Sequence, residues 1–134
     1  MSKAVKEIKD KLSAVFEAEP AVGLVYLFGS QASGKTGPMS DYDFGIYFTE
    51  KSPIKRGQMV FYFSSEISKM LATNKVDVHS MNDIESPELK YQIISSGKII
   101  FEREPNRLLL EPRVFNEYFD FIYLLKKYNL TRAK

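Results

Sequence analysis

The chain has 134 residues, of which 44% are hydrophobic and 18 are aromatic (eight tyrosines and ten phenylalanines), so it is not a disordered segment and is predicted to form one domain over residues 1–134. Nineteen basic and 17 acidic residues leave a net charge of +2, which predicts neither direct nucleic-acid binding nor attraction to a membrane surface. The absence of cysteine excludes thiolate chemistry, and the single histidine leaves oxygen as the main metal donor, which favours Mg²⁺, Mn²⁺ or Ca²⁺.

Hydrophobic periodicity predicts helices and strands that alternate along the chain. Apolar residues recur at helical spacing over residues 3–18, and again at a second helix marked by Val60, Phe63, Ile67, Met70 and Leu71. Short apolar runs predict strands at 24–28, 42–48, 76–79 and 98–101, separated in part by a loop over 29–40. Further helices are predicted at 87–95 and at 106–128, the latter interrupted or kinked near Pro112. This alternation indicates an α/β or α+β fold with a small mixed sheet.

The chain carries no segment that predicts secretion or membrane insertion. Its first residues lack an apolar core, and the longest nearly apolar run, residues 21–28, is far shorter than the roughly 18 residues that a membrane span needs. We therefore expect a cytoplasmic protein.

The loop after the first predicted strand matches the P-loop pattern. Residues 29–36 read Gly-Ser-Gln-Ala-Ser-Gly-Lys-Thr, which fits G-x-x-x-x-G-K-[ST]. A P-loop lysine opens a helix whose amides hold phosphates. Here Gly37 and Pro38 follow directly and a strand is predicted from Tyr42, so a P-loop NTPase is the less favoured interpretation.

A second pattern combines the same loop with three aspartates. Asp41 and Asp43 stand two residues apart at the start of a strand, which places them on one face with Cα atoms about 6.6 Å apart. Such carboxylates can share a metal pair about 3.5–4 Å apart, which serves in-line attack on a phosphoryl group. Asp77 lies between two valines in another predicted strand, where aspartate is uncommon, and would complete the set. Gly29 would let the backbone approach a triphosphate, and Ser30 would supply a hydroxyl and an amide donor.

The arrangement Gly29-Ser30, ten residues, Asp41-Tyr42-Asp43 resembles the signature of the DNA polymerase β-type nucleotidyltransferase superfamily. The small size points to its minimal nucleotidyltransferase (MNT) branch. Residues 111–121 also resemble the C-terminal segment of MNT proteins that are paired with HEPN-domain toxins, so the resemblance covers residues 24–128.

The resemblance implies a specific activity. MNT proteins of this kind are antitoxins that transfer AMP from ATP to a tyrosine hydroxyl of the HEPN toxin, an RNase. By the same resemblance, Asp41, Asp43 and Asp77 are the catalytic residues and the Mg²⁺ ligands, and Gly29 and Ser30 bind the triphosphate. Many relatives have arginine directly after Gly-Ser. This chain has Gln31, and Lys35 is the candidate for the missing positive charge.

Three questions stay open at the level of sequence. His79 shares the strand face of Asp77 and is either a half-exposed strand residue or a contact to nucleotide or acceptor. The tail has six aromatic residues between Phe115 and Tyr128, more than one helical stripe holds, so it either wraps its own domain or docks a partner such as the toxin or a second copy. The alternatives to protein modification are nucleotidyl transfer to a small molecule and inhibition of a toxin by binding alone.

Overall fold

The computed structural model describes residues 3–29 and 41–130. The elements follow in the order α1 (Lys3–Glu17), β1 (Val22–Phe28), β2 (Tyr42–Phe48), α2 (Pro53–Leu71), β3 (Val76–Ser80), a 3-10 turn (Met81–Asp83), α3 (Pro87–Ser96), β4 (Lys98–Glu102) and α4 (Asn106–Lys127). The predicted helices and strands are therefore confirmed. The main shift in bounds is that β1 begins two residues earlier than predicted.

The four strands form one mixed sheet in the order β3-β2-β1-β4. β1 pairs antiparallel with both β2 and β4, whereas β2 and β3 are parallel. Parallel strands need a long crossover connection. Helix α2 supplies it, and its start is encoded locally: the Ser52 side chain accepts a hydrogen bond from the Lys55 amide at 3.2 Å, and Pro53 occupies the first turn.

Each face of the sheet has its own apolar core. On one face, alternate β2 residues Phe44, Ile46 and Phe48 pack with buried side chains of α1 and α2. On the other face, Leu24 and Tyr26 of β1 pack with residues of the 3-10 turn, α3 and α4. The predicted alternation along β2 is confirmed, because Asp43 and Gly45 belong to the second face.

Helix α4 is held against the sheet by a polar contact as well as by apolar packing. The buried Tyr26 hydroxyl donates a hydrogen bond to Glu111, whose carboxylate also lies 3.2 Å from Arg107 Nε. Burial, followed by the hydrogen bond to Glu111, raises the pKa of Tyr26 well above its usual range, so this hydroxyl keeps its proton.

Helix α4 runs through Pro112 without a break, so of the two predicted outcomes, an interruption or a kink, the interruption is wrong. A proline inside a helix frees the carbonyl four residues earlier. That carbonyl belongs to Leu108, a residue that is 77% exposed. Among the described residues, no helix combines the length and apolar character needed to cross a membrane.

Two glycines, one at the end of α3 and one within α2, give a matched test of how closely the end of α3 is packed. A Cβ at Gly97, which ends α3, would lie 2.4 Å from the Ile93 carbonyl oxygen, whereas a Cβ at Gly57 in α2 would meet nothing within 4 Å. We expect Gly97→Ala to lower the free energy of unfolding by about 1–3 kcal/mol through overpacking. Gly57→Ala should raise it by about 0.5–1 kcal/mol through helix propensity. Urea denaturation measures both, and equal effects of the two substitutions would contradict the described end of α3.

Candidate active site

The pairing of β2 with β3 brings two of the predicted aspartates together. The Tyr42 amide donates to the Lys75 carbonyl at 2.8 Å where the parallel pairing begins, and the register then sets Asp43 opposite Asp77 and Gly45 opposite His79. Because side chains alternate along a strand, Asp77 and His79 lie on the same face as Asp43. The chain thus gathers two carboxylates and an imidazole at one place on the sheet.

The distances in this group suit a metal ion. Asp43, Asp77 and His79 each offer a ligand atom, and the three atoms all lie within 4.8 Å of one another. His79 Nε2 is 3.1 Å from Asp77 Oδ2, and the imidazole packs against the Phe28 ring with centroids 5.7 Å apart. Two carboxylates with one nitrogen are a donor set that fits a divalent cation.

The electrostatics also favour a cation at this position. Burial, followed by the neighbouring charge of Asp77, raises the pKa of the Asp43 carboxyl above its usual value. The charge of His79 opposes this shift, and that of Asp41 adds to it. A bound dication would offset the repulsion between the carboxylates, because it favours their ionised forms.

Gly29 fits closely against Asp43 at the end of β1. Its φ is +77°, in the left-handed region that glycine adopts without strain, and a Cβ there would lie 2.5 Å from Asp43 Oδ2. No other residue type leaves the Asp43 carboxylate in place. The close fit against Asp43 therefore explains why glycine stands at position 29, in addition to the predicted approach of a triphosphate.

A cavity of about 390 Å³ opens beside these two residues. It lies between the end of β1, where Phe28 and Gly29 form one wall, and helix α3. Its volume falls in the range of small-molecule sites, roughly 300–1,000 Å³. The α3 residues that line it are Leu89, Gln92 and Ser96.

The structure brings some of the predicted site residues together, places one apart from them, and does not describe the others. Asp43 and Asp77 are brought together, and Gly29 lies beside them. Asp41 precedes β2 and is exposed. The third member of the group whose ligand atoms lie within 4.8 Å of one another is His79 and not Asp41. Ser30, Gln31 and Lys35 lie outside the described residues, so their predicted roles stay predictions.

Some residues at the site were missed by the sequence analysis. His79 was not placed in the predicted metal site, although its spacing of two residues from Asp77 within one strand was the available signal. The α3 residues that line the cavity had no signal of their own, because the position of α3 over the sheet depends on tertiary packing.

Comparison with known proteins identifies the class to which this fold and site belong. The family model described as "Polymerase beta, Nucleotidyltransferase" matches residues 10–106. The chain belongs to the polymerase β nucleotidyltransferase family, and the prediction of a nucleotidyltransferase is confirmed. The P-loop interpretation is wrong. A P-loop joins a strand of a parallel sheet to a helix, whereas β1 here pairs antiparallel with both of its neighbours.

Solved structures share this fold. The chain is similar to a chain of the crystal structure described as "the toxin-antitoxin with AMP-PNP", with 20% identity and a TM-score of 0.71 over 89% of this chain and 93% of that one. It is also similar to a chain of the structure of a tri-AMPylated Shewanella oneidensis HEPN toxin in complex with MNT antitoxin, with 18% identity and a TM-score of 0.66 over 92% of this chain and 93% of that one. A search of curated proteins gives no match. At these identities the likeness shows a common fold.

The contact between Gly29 and Asp43 predicts the effect of one added methyl group. Gly29→Ala forces a left-handed conformation on a residue with a Cβ, which costs about 1–2 kcal/mol of folding free energy, and it displaces the Asp43 carboxylate. We expect a folded protein, by circular dichroism, that has lost at least about 90% of its nucleotidyl transfer. Normal transfer by Gly29→Ala, measured beside Gly57→Ala as the control, would contradict the described contact.

Proposed function

We propose that this nucleotidyltransferase is an Mg²⁺-dependent adenylyltransferase that moves AMP from ATP to a tyrosine hydroxyl of a HEPN toxin, and so acts as its antitoxin. The observation that carries the proposal is the Asp43–Asp77 pair beside Gly29 and the cavity under α3. The likeness of the chain to a chain of a toxin-antitoxin structure and to a chain of a structure of a HEPN toxin with its MNT antitoxin supports the choice of acceptor. ATP as the donor is consistent with a cytoplasmic location.

Each residue of the site has a role in the proposal. Asp41, Asp43 and Asp77 are the Mg²⁺ ligands, and Mn²⁺ is the alternative ion. When bound, the metal supplies positive charge for the triphosphate. Gly29 and Ser30 receive the phosphates, and Lys35 takes the place of the arginine that many relatives carry at the position of Gln31.

The proposed reaction is a single displacement at the α-phosphorus of ATP. The tyrosine oxygen forms a bond to the α-phosphorus of ATP, and the bond from that phosphorus to the oxygen bridging to the β-phosphate breaks. Pyrophosphate leaves with the electron pair. The Asp77 side chain is 61% exposed, which makes it accessible to an incoming acceptor, and one of its oxygens takes the hydroxyl proton.

The C-terminal helix offers a surface for the partner. Its first aromatic residues pack within the domain: Tyr118 stacks on Tyr91 of α3 with ring centroids 3.9 Å apart. Further along, Phe119, Tyr123 and Tyr128 are each more than half exposed. The stacking of Tyr118 supports the interpretation that the tail wraps its own domain, and the exposed rings support docking to a partner by the outer part of the tail. We assign the exposed part to contact with the toxin, with association of two copies through α4 as the alternative.

Two other functions remain as competitors. One is nucleotidyl transfer to a small molecule, for which the cavity of about 390 Å³ is large enough. The other is inhibition of the toxin by binding alone. The close pairing of two ionisable carboxylates argues against this second case, because it destabilises the fold unless a cation uses it.

The proposal is tested with a HEPN-domain protein, sought in the neighbouring genes, as the acceptor and ATP labelled at the α-phosphate as the donor. The wild-type protein should transfer label to one or more tyrosines of that partner and release pyrophosphate. Asp43→Asn should lower the rate at least about 100-fold, because it removes a charged oxygen from the metal. Asp10→Asn is the matched control, since Asp10 lies exposed on α1 and pairs only with Lys6 among its described ion pairs, and it should retain full activity.

The competing functions give different results in the same assay. Label on a small-molecule acceptor with none on the HEPN protein would identify transfer to a small molecule. Full neutralisation of the toxin by Asp43→Asn, without any adduct, would identify inhibition by binding. Release of orthophosphate from the γ-position without label transfer would contradict nucleotidyl transfer altogether.

A further inference from the structure

We propose that His79 is a direct nitrogen ligand of a divalent ion held with Asp43 and Asp77, so that this position takes a first-row transition ion in preference to Mg²⁺. The inference rests on the proposed metal site. It changes the expected ligand set, which consisted of carboxylates alone.

The backbone directs His79 into the site. The register places it opposite Gly45, one pleat along from the pair of Asp43 and Asp77. Because Gly45 has no side chain, no β2 side chain lies across the strand from the imidazole. His79 therefore faces the same side of the sheet as both carboxylates, where it can share an ion with them.

The separation of the donor atoms matches a coordination shell. Ions of this size hold their ligands at about 2.1 Å in an octahedron, which places adjacent ligand atoms about 3 Å apart. His79 Nε2 lies 3.1 Å from Asp77 Oδ2, and the nearest ligand atom of Asp43 is within 4.8 Å of both. The distance between His79 and Asp77 corresponds to adjacent ligands of one ion. The upper bound of 4.8 Å for Asp43 allows its ligand atom to be either adjacent to these two or opposite one of them.

The surroundings of His79 hold the ring and leave it open to an ion. The Phe28 ring packs against the imidazole at a centroid distance of 5.7 Å and restricts its rotation. The side chain of His79 is 34% exposed, so a hydrated ion can reach the nitrogen from solvent. A ligand that is already oriented loses little conformational entropy when it binds the ion.

The nitrogen donor determines which ion is favoured. Mg²⁺ selects oxygen ligands and sheds water reluctantly, whereas imidazole binds first-row transition ions well. Mg²⁺ would take oxygen donors, which Asp41 and Asp43 offer. The proposal thus gives different donor sets to a transition ion and to Mg²⁺.

The test uses Mn²⁺ as the probe on the full chain without nucleotide. Electron spin-echo envelope modulation detects imidazole nitrogen bound to Mn²⁺, and its source is unambiguous because the chain has one histidine. We expect nitrogen modulation in the wild type and none in His79→Gln, a variant that keeps an amide donor for Asp77. We also expect the ratio of Mn²⁺ to Mg²⁺ affinity, measured by competition, to fall at least fivefold in His79→Gln.

Any of three results would overturn the inference: absence of Mn²⁺ binding, Mn²⁺ that shows no nitrogen modulation in the wild type, or an unchanged affinity ratio in His79→Gln. Adenylyl transfer is measured separately on the same samples. Adenylyl transfer without nitrogen modulation would contradict the role of His79 and leave the proposed function standing. Nitrogen modulation without adenylyl transfer would contradict the proposed function and leave the role of His79 standing.

Discussion

The parallel pairing of β2 with β3 is the constraint on which the rest of the structure depends. Its register sets Asp43 against Asp77, and the burial and repulsion of the pair raise the pKa of Asp43. An arrangement that is unfavourable in the protein alone becomes favourable when a dication binds it. The parallel direction also explains α2, because a crossover helix is needed to return the chain to the same edge of the sheet.

One face of the sheet carries apolar core alone, whereas the other carries a second apolar core together with the candidate site. The face under α1 and α2 is filled by large apolar side chains from alternate positions of the strands. On the other face, glycines stand where the site needs space: Gly29 makes room for the Asp43 carboxylate, and Gly45 accommodates Met81, whose sulfur would lie 2.9 Å from an added Cβ. Helix α4 closes this face further along through Tyr26 and Glu111, which leaves the cavity beside Asp43 open.

The parts of this protein that could be predicted from sequence are those encoded locally. The apolar spacing of α1 and the alternation along β2 set their elements and buried faces, and the three aspartates were proposed as site residues from residue type and spacing. The nearness of Asp43 to Asp77 depends on a pairing between strands far apart in sequence, and so does the position of His79. The continuity of α4 could not be predicted from the sequence, because the effect of a proline inside a helix allows either an interruption or a kink.

The most direct measurement of the central claim is a double-mutant cycle on Asp43 and Asp77, read out as the affinity for Mn²⁺ with a non-hydrolysable ATP analogue by calorimetry. If the two carboxylates hold one ion, each change to asparagine should weaken binding at least about tenfold. The double variant should then be little weaker than the worse single variant, a coupling of about 1.4 kcal/mol or more. Losses that simply multiply would show that the two carboxylates act independently and would contradict the account.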